Sequence, residues 1–288
     1  MTNAFSIRCV ATRGIRAFGT ALIAVCGLAH AQTWNNPHPA IYAGPMRETT
    51  PDQDYAFRRT ISDKDRETIA RYRSGAVSPV FEARFNNPDD LSDWTLPSRE
   101  NTKLISCVRP QSTSTTASGL MLQIKPVTDC QAKWSTGQII SKATYKFGYF
   151  EASMKIAAIP GVDNAFWLVT RDGYEIDVTE TFYPNASTSA VHQWHPPKGR
   201  SHTMVSSRIS LQKNLSEGFH DYGVLWSEDE VVFSIDGEPY VALKTNGSIK
   251  APAEIHLSNA IVPWGQKPPD NPSGAATLFR RVRVFPPQ

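Results

Sequence analysis

Behind the turn signal Arg171-Asp172-Gly173 the chain reads Tyr174-Glu175-Ile176-Asp177-Val178-Thr179-Glu180. Three carboxylates within six residues of a β-forming stretch are unusual, because like charges on one face repel. Side chains alternate along a strand, so Glu175 and Asp177 share a face. Glu180, five residues beyond Glu175, falls on the opposite face of a regular strand. One extra residue, a β-bulge at Val178-Thr179, returns it to the first face and leaves Ile176 pointing into the core. Three kinds of chemistry fit such a row. Oxygen ligands could hold a metal ion. A nucleophile and a general acid could flank a glycosidic bond, about 5 Å apart in a retaining enzyme. The third reading is a solvated acidic edge with no chemistry at all.

The surroundings favour a sugar. Trp167, His192, Trp194, Trp226 and Trp264 lie in or beside neighbouring strand candidates, and aromatic faces are what sugar rings stack on. Tryptophan on its own is more often core than platform, so these residues add weight without deciding the matter. Two other hydrolase chemistries lack their motifs: no G-x-S-x-G and no H-E-x-x-H occurs.

The elements that must position these side chains are strands. From about residue 79 the pattern has period two. In Phe147–Ile156, Gly148, Phe150, Ala152, Met154 and Ile156 share one face, opposite Tyr149, Glu151, Ser153 and Lys155. Val231, Phe233 and Ile235 alternate with Val232 and Ser234, and Asp236-Gly237 then offers a tight turn toward Tyr240. Val282 and Val284 alternate with Arg281 and Arg283. No helix-length amphipathic run follows residue 80. Many short strands with turn signals between them predict an all-β sandwich or barrel. Residues 32–78 are rich in Pro, Asn and Arg and read as a loop-rich extension. It carries one short helix, Lys64 to Tyr72, capped by Ser62 or Asp63, with Ile69 and Tyr72 on one face.

Composition narrows the class. The 288 residues are 40% hydrophobic and 20% charged, with 21 Pro and 17 Gly, which excludes disordered, collagenous and coiled-coil chains. The formal charge is +3, but residues 1–31 hold Arg8, Arg13 and Arg16 and no acid, leaving 27 basic against 27 acidic residues beyond them. That balance argues against a nucleic-acid partner. The same 31 residues lead from a cationic stretch through an apolar run, Ala17 to Leu28, to Ala29-His30-Ala31. They read as a signal peptide cleaved before Gln32, with a retained anchor helix as the alternative. A secreted or periplasmic protein is expected, with no membrane association after cleavage. Cys9 and Cys26 would leave with the signal. Cys107 and Cys130 remain and, in an oxidising compartment, most simply form a disulfide, two free buried thiols being the other reading.

At this point the residues match a family. Glu175-Ile-Asp177-Val-Thr-Glu180 resembles the bulged E-x-D-x-x-E signature of glycoside hydrolase family 16. The Phe147–Ala152 strand, Pro160-Gly161, Ala165-Phe166-Trp167-Leu168 and the Phe219–Trp226 strand running on to Ile235-Asp236-Gly237 are similar to the strands that flank it. The resemblance covers roughly residues 79–288, which it makes the catalytic domain. It implies a concanavalin A-like jelly roll, all-β in two sheets, with a concave cleft for a polysaccharide. It also implies a retaining double displacement with Glu175 as nucleophile, Glu180 as acid/base and Asp177 tuning the nucleophile. Within that cleft Trp167, Trp194 and Trp264 are expected as subsite walls, and Asn164, His192 and Asn259 as hydroxyl binders. The substrate implied is a polysaccharide, a β-1,3- or β-1,3-1,4-glucan before a galactan of the agar or carrageenan type, because no dense basic patch stands near the signature. A transglycosylase or a non-catalytic carbohydrate-binding sandwich are the rival outcomes. A monomer requiring no cofactor and no catalytic metal is expected, although family members sometimes carry a structural calcium at a position this sequence does not identify.

Overall fold

The alternating stretches become strands, with turns at Asp172-Gly173 and Asp236-Gly237 where the sequence marks them. The computed structural model describes residues 41–43, 46–195 and 201–288; the expected signal peptide lies outside them. The chain lays down β1 (Arg47–Glu48), β2 (Phe57–Arg59), helix α1 (Asp63–Arg73), β3 (Phe81–Ala83), β4 (Trp94–Thr95) and β5 (Cys107–Val108). Next come β6 (Thr113–Thr116), β7 (Gly119–Gln123), β8 (Lys125–Pro126), β9 (Trp134–Thr136), β10 (Gln138–Tyr145) and β11 (Gly148–Lys155). The strands around the acidic signature are β12 (Val162–Thr170), β13 (Tyr174–Phe182), β14 (Ala186–Gln193) and β15 (Thr203–Ser210). The chain closes with β16 (His220–Trp226), β17 (Glu230–Ile235), β18 (Glu238–Lys244), β19 (Ala253–Ile261) and β20 (Ala276–Phe285).

Two antiparallel sheets form the sandwich. One runs β1-β15-β14-β13-β12-β19-β10-β4, and the other runs β2-β18-β17-β16-β11-β20-β7-β6 with β3 added beside β20. Phe166, Leu168, Ile176, Val178, Val191 and Leu257 from the first interleave with Phe150, Met154, Val224, Phe233 and Val282 from the second in one core. The fold is an all-β, two-sheet jelly roll. Strands from before residue 79 complete both sheets, since β1 pairs with β15 and β2 with β18. The Asp236-Gly237 hairpin forms with both residues at positive φ, 54° and 86°, the geometry a two-residue turn between twisted strands requires.

Helix α1 explains a departure from simple alternation. In β11, Tyr149, Glu151 and Ser153 face away from the core, yet they are as buried as Phe150 and Ala152. Ile69 and Tyr72 of α1 cover that face, packing with Tyr149, Val232, Ala242 and Phe285, and the Tyr72 and Tyr149 rings stack at 5.4 Å. Glu151, 1% exposed, is met there by Arg73, Arg281 and Arg283. Ser62 caps the helix in a reciprocal pair with Asp65, while Arg71 and Arg73 sit in the last turn, where the helix dipole favours cations. The helix thus closes the outer face of one sheet. The outer face of the other is left for the site.

A three-stranded sheet, β5-β9-β8, lies apart from the two large ones. Here Cys107 and Cys130 form the expected disulfide, with Cα atoms 6.7 Å apart.

Candidate active site

The site is built on β13 and its register. Asp177 faces Ala190 and Glu180 faces Thr188, so three steps on β13 correspond to two on β14. On the other side Thr179 faces Phe166 while Asp177 faces Trp167, so β12 also loses one residue of register. The extra residue is the expected bulge at Val178-Thr179. Val178 and Thr179 both turn inward, Val178 into the core and Thr179 onto Thr181 and Ser187. Glu175, Asp177 and Glu180 therefore line one hollow of about 190 Å³, together with Asp163, Trp167, Gln138, Arg99 and Ser258.

Each acid has its own environment. His192, opposite Glu175 on β14, places Nε2 2.7 Å from Asp177 Oδ2. Burial opposes a charge on His192, but Asp177, Glu175 and Glu180 together outweigh it and raise the imidazole to about 9. His192 is thus an imidazolium that neutralises part of the acidic row. Its Nδ1 meets His202 Nε2 at 2.8 Å, and burial with the His192 charge lowers the His202 value, so His202 is the neutral acceptor. His202 also stacks on Trp194 at 3.9 Å, and Trp194 Nε1 donates to Glu175 Oε2 at 3.1 Å. Burial first and Asp177 second push Glu175 up to about 8, with His192 and the Trp194 N–H pulling the other way.

Glu180 meets a fourth carboxyl. Asp163, at the head of β12, is buried, and its Oδ1 takes no N–H or hydroxyl among the described residues. Its contact is Glu180. Burial and then the Glu180 charge raise Asp163 well above its ordinary value, which favours its neutral form as a hydrogen-bond donor to Glu180. Burial and Asp177 raise Glu180 as well, against that bond and the charges of His192 and Arg208. Four clustered carboxyls cannot all ionise, and they titrate as a unit.

The hollow ends in a basic counterpart. Trp264, 58% exposed, lines both it and a second hollow of about 480 Å³ that holds Arg47, Arg208 and Phe182. One cleft face thus carries four acids and, beside them, two arginines. A row of acids on a bulged strand beneath exposed aromatic rings suits a carbohydrate chain, and comparison with known proteins decides the family. The model of glycosyl hydrolases family 16 matches residues 101–278, more than half of the chain. The chain belongs to glycosyl hydrolases family 16.

Similar members include the endo-1,3-1,4-beta-glycanase EglC of Rhizobium meliloti, 27% identical over 150 residues, which is 50% of this chain and 32% of that protein. A beta-glucanase of Acetivibrio thermocellus is 27% identical over 168 residues, 56% of this chain and 48% of that one. The chain spans between about a third and a half of the length of these curated relatives. The fold matches the laminarinase catalytic domain of Thermotoga maritima with a TM-score of 0.63 at 17% identity, covering 74% of this chain and 99% of that one.

For this family 16 chain two of the three expected hydroxyl binders, Asn164 and Asn259, need correction. Asn164 is fully buried: its Oδ1 accepts from Ala157 N and Thr277 Oγ1, and its Nδ2 donates to the Val162 and Thr181 carbonyls. Asn259 is 1% exposed and links the Gly137 N–H to the Leu122 carbonyl. Both sit on the inward face of their strands, where a buried amide must satisfy backbone groups. His192 does face the cleft, but both ring nitrogens are engaged. Trp194, 42% exposed, and Trp264 stand at the cleft wall, while Trp167 lies over His256 at 4.0 Å and donates to Ser258 Oγ at 3.0 Å. Trp226 is core.

Sequence reasoning passed over Asp163, His202, Arg47 and Arg208. Asp163 had a signal: it is the lone acid in an apolar strand, in phase with Trp167. The arginines had none, because Arg47 and Arg208 become neighbours only through the pairing of β1 with β15.

Proposed function

We propose that this chain is an exported, endo-acting glycoside hydrolase that cleaves a β-1,3- or β-1,3-1,4-glucan backbone with retention of anomeric configuration. One observation carries the reading: the Val178-Thr179 bulge brings Glu175, Asp177 and Glu180 to the same hollow. Glu175 attacks the anomeric carbon and forms a glycosyl-enzyme, while Glu180 protonates the departing oxygen. Glu180, now a carboxylate, then takes a proton from the water that releases the sugar. Asp177 lies between them, held by the His192 imidazolium, beside the positive charge that grows on the sugar ring. The Trp194 N–H fixes one oxygen of Glu175 and leaves the other for attack.

Glu175 and Glu180 are both raised, so Glu175 must lose its proton before it attacks. Burial raises Glu180, the direction a general acid requires. The raised Glu175 places the acid limb of activity above the ordinary glutamate range. The glucanase relatives support a β-glucan backbone. An open cleft face supports attack within a chain rather than at its end. The chain acts as a monomer and needs no cofactor, and residues 1–31 direct it out of the cytoplasm.

Reducing-end release across β-1,3-glucan, mixed-linkage β-glucan, xyloglucan, agarose and carrageenan tests the assignment. Rapid release from one of the first two, with the β-anomer appearing first by proton NMR, is the expected result. Release from galactans alone would overturn the substrate, and an α-anomer formed first would overturn the mechanism.

A further inference from the structure

The second hollow lies in line with the acid. Across the sheet, Glu180 of β13 faces Thr188 of β14, Thr188 faces Arg208 of β15, and Arg208 faces Arg47 of β1. Strands are spaced about 4.8 Å, so Arg208 stands roughly 10 Å from Glu180 and Arg47 one strand farther. That distance places the arginines beside a neighbouring sugar of a bound chain, not the one undergoing cleavage.

Two arginines directly opposite one another on paired strands repel. Among the described residues no carboxylate forms an ion pair with either, although ten other Lys and Arg residues do form them, Arg58, Arg59 and Arg109 among these. The hollow they share contains no acid at all: Phe182, Asn185, Ser210, Trp264 and Gln266 complete most of its wall. Arg208 is held over the Phe182 ring at 5.3 Å, and its charge reaches Glu180 and Asp163. Two cations lining a hollow that holds no acid, Arg47 exposed and Arg208 over the Phe182 ring, beside an exposed indole, are arranged for an anion carried on an apolar ring face.

We propose that the hollow lined by Arg47, Arg208 and Trp264 is a subsite for an anionic substituent on the polysaccharide, a carboxylate or a sulfate ester, on a sugar next to the scissile bond. The proposal rests on the reading of the acidic hollow as the cleavage site, and it narrows the substrate to an acidic derivative of the glucan. The backbone is read at Glu175 to Glu180, and its decoration at the arginines. Guanidinium groups suit either anion through paired N–H donors.

The test uses one mixed-linkage β-glucan in three forms: unmodified, sparsely carboxymethylated and sparsely sulfated. The quantity read is kcat/KM for each charged form divided by kcat/KM for the neutral form. The parent protein should prefer at least one charged form by about tenfold at low salt, and the preference should shrink on adding salt because the charges are partly exposed. Arg47→Gln and Arg208→Gln should each remove most of it, and the preferred form tells carboxylate from sulfate. Arg47→Gln is the cleaner variant, since Arg208 also acts on Glu180. A ratio at or below one in the parent, or a ratio unmoved by both substitutions, would overturn the subsite. If no form is cleaved at all, the hydrolase reading fails separately. Calorimetric binding of the same three polymers then decides the subsite: tighter binding of a charged form, lost in Arg47→Gln, supports it, and equal binding of all three rejects it.

Discussion

Burial raises both Glu175 and Asp163 in this cleft, and that has measurable consequences. Glu175 is raised from 4.5 to about 8 in the folded chain, chiefly by burial. Its proton therefore favours the folded state; the contribution is complete below about pH 4.5 and is lost as pH rises through about 8. Glu175→Gln mimics the protonated form at every pH. It should melt close to the parent near pH 4.5 and several degrees or more above it at pH 8, read by calorimetry. A variant less stable than the parent at pH 8 would contradict the raised value. Asp163 makes a second case. Its hydrogen bond to Glu180 lowers the acid/base, so Asp163→Ala should move the alkaline limb of kcat upward, while Asp163→Asn, which still donates, should restore much of the parent profile. A loss of about 10- to 100-fold in kcat accompanies the alanine, the scale of a hydrogen bond to a charged group. Equal profiles for both variants would show Asp163 to be packing alone.

At the scale of elements the bulge was readable, because a five-residue interval between two glutamates that must share a face admits only one extra residue in the strand. The same alternation failed on β11. It places Tyr149, Glu151 and Ser153 toward solvent, but α1 covers them, and no local pattern in β11 announces a helix that comes from residues 63–73. It failed differently for Asn164 and Asn259. Both are polar residues of types that bind sugars, and only the register of β12 and β19 reveals that they point inward to backbone groups. Helix α1 yields a prediction of its own. Ser62→Ala should cost about 1 kcal/mol through the lost cap. Tyr72→Ala should cost roughly 3–5 kcal/mol through the cavity left against Tyr149 and Phe285. Urea unfolding reads both. Because α1 lies on the opposite sheet from the acids, kcat for the folded Ser62→Ala protein should match the parent, and a large fall would show that the two faces are coupled.

Across the whole molecule the family was legible before the architecture, since one short signature with ordered flanking strands carries it, whereas the charge layout of the cleft depends on pairings between residues distant in the chain. Arg47 and Arg208 show this most plainly. The Cys107–Cys130 link was also legible, and it closes a separation of 23 residues. Removing it with paired Cys→Ser changes should lower stability by about 3 kcal/mol in urea, with cleavage still measurable in the folded fraction. The proposed function requires Glu175 and Glu180 to hold different posts in one double displacement. Azide rescue with an activated aryl β-glucan oligosaccharide separates them, because such a leaving group departs without a proton. Glu180→Ala should still form the glycosyl-enzyme, and azide attacking it should give the β-glycosyl azide, with net retention. Glu175→Ala has no nucleophile, so azide can attack only the substrate itself and give the α-glycosyl azide by a single inversion. The β-azide from Glu175→Ala together with the α-azide from Glu180→Ala would mean that the two roles are exchanged.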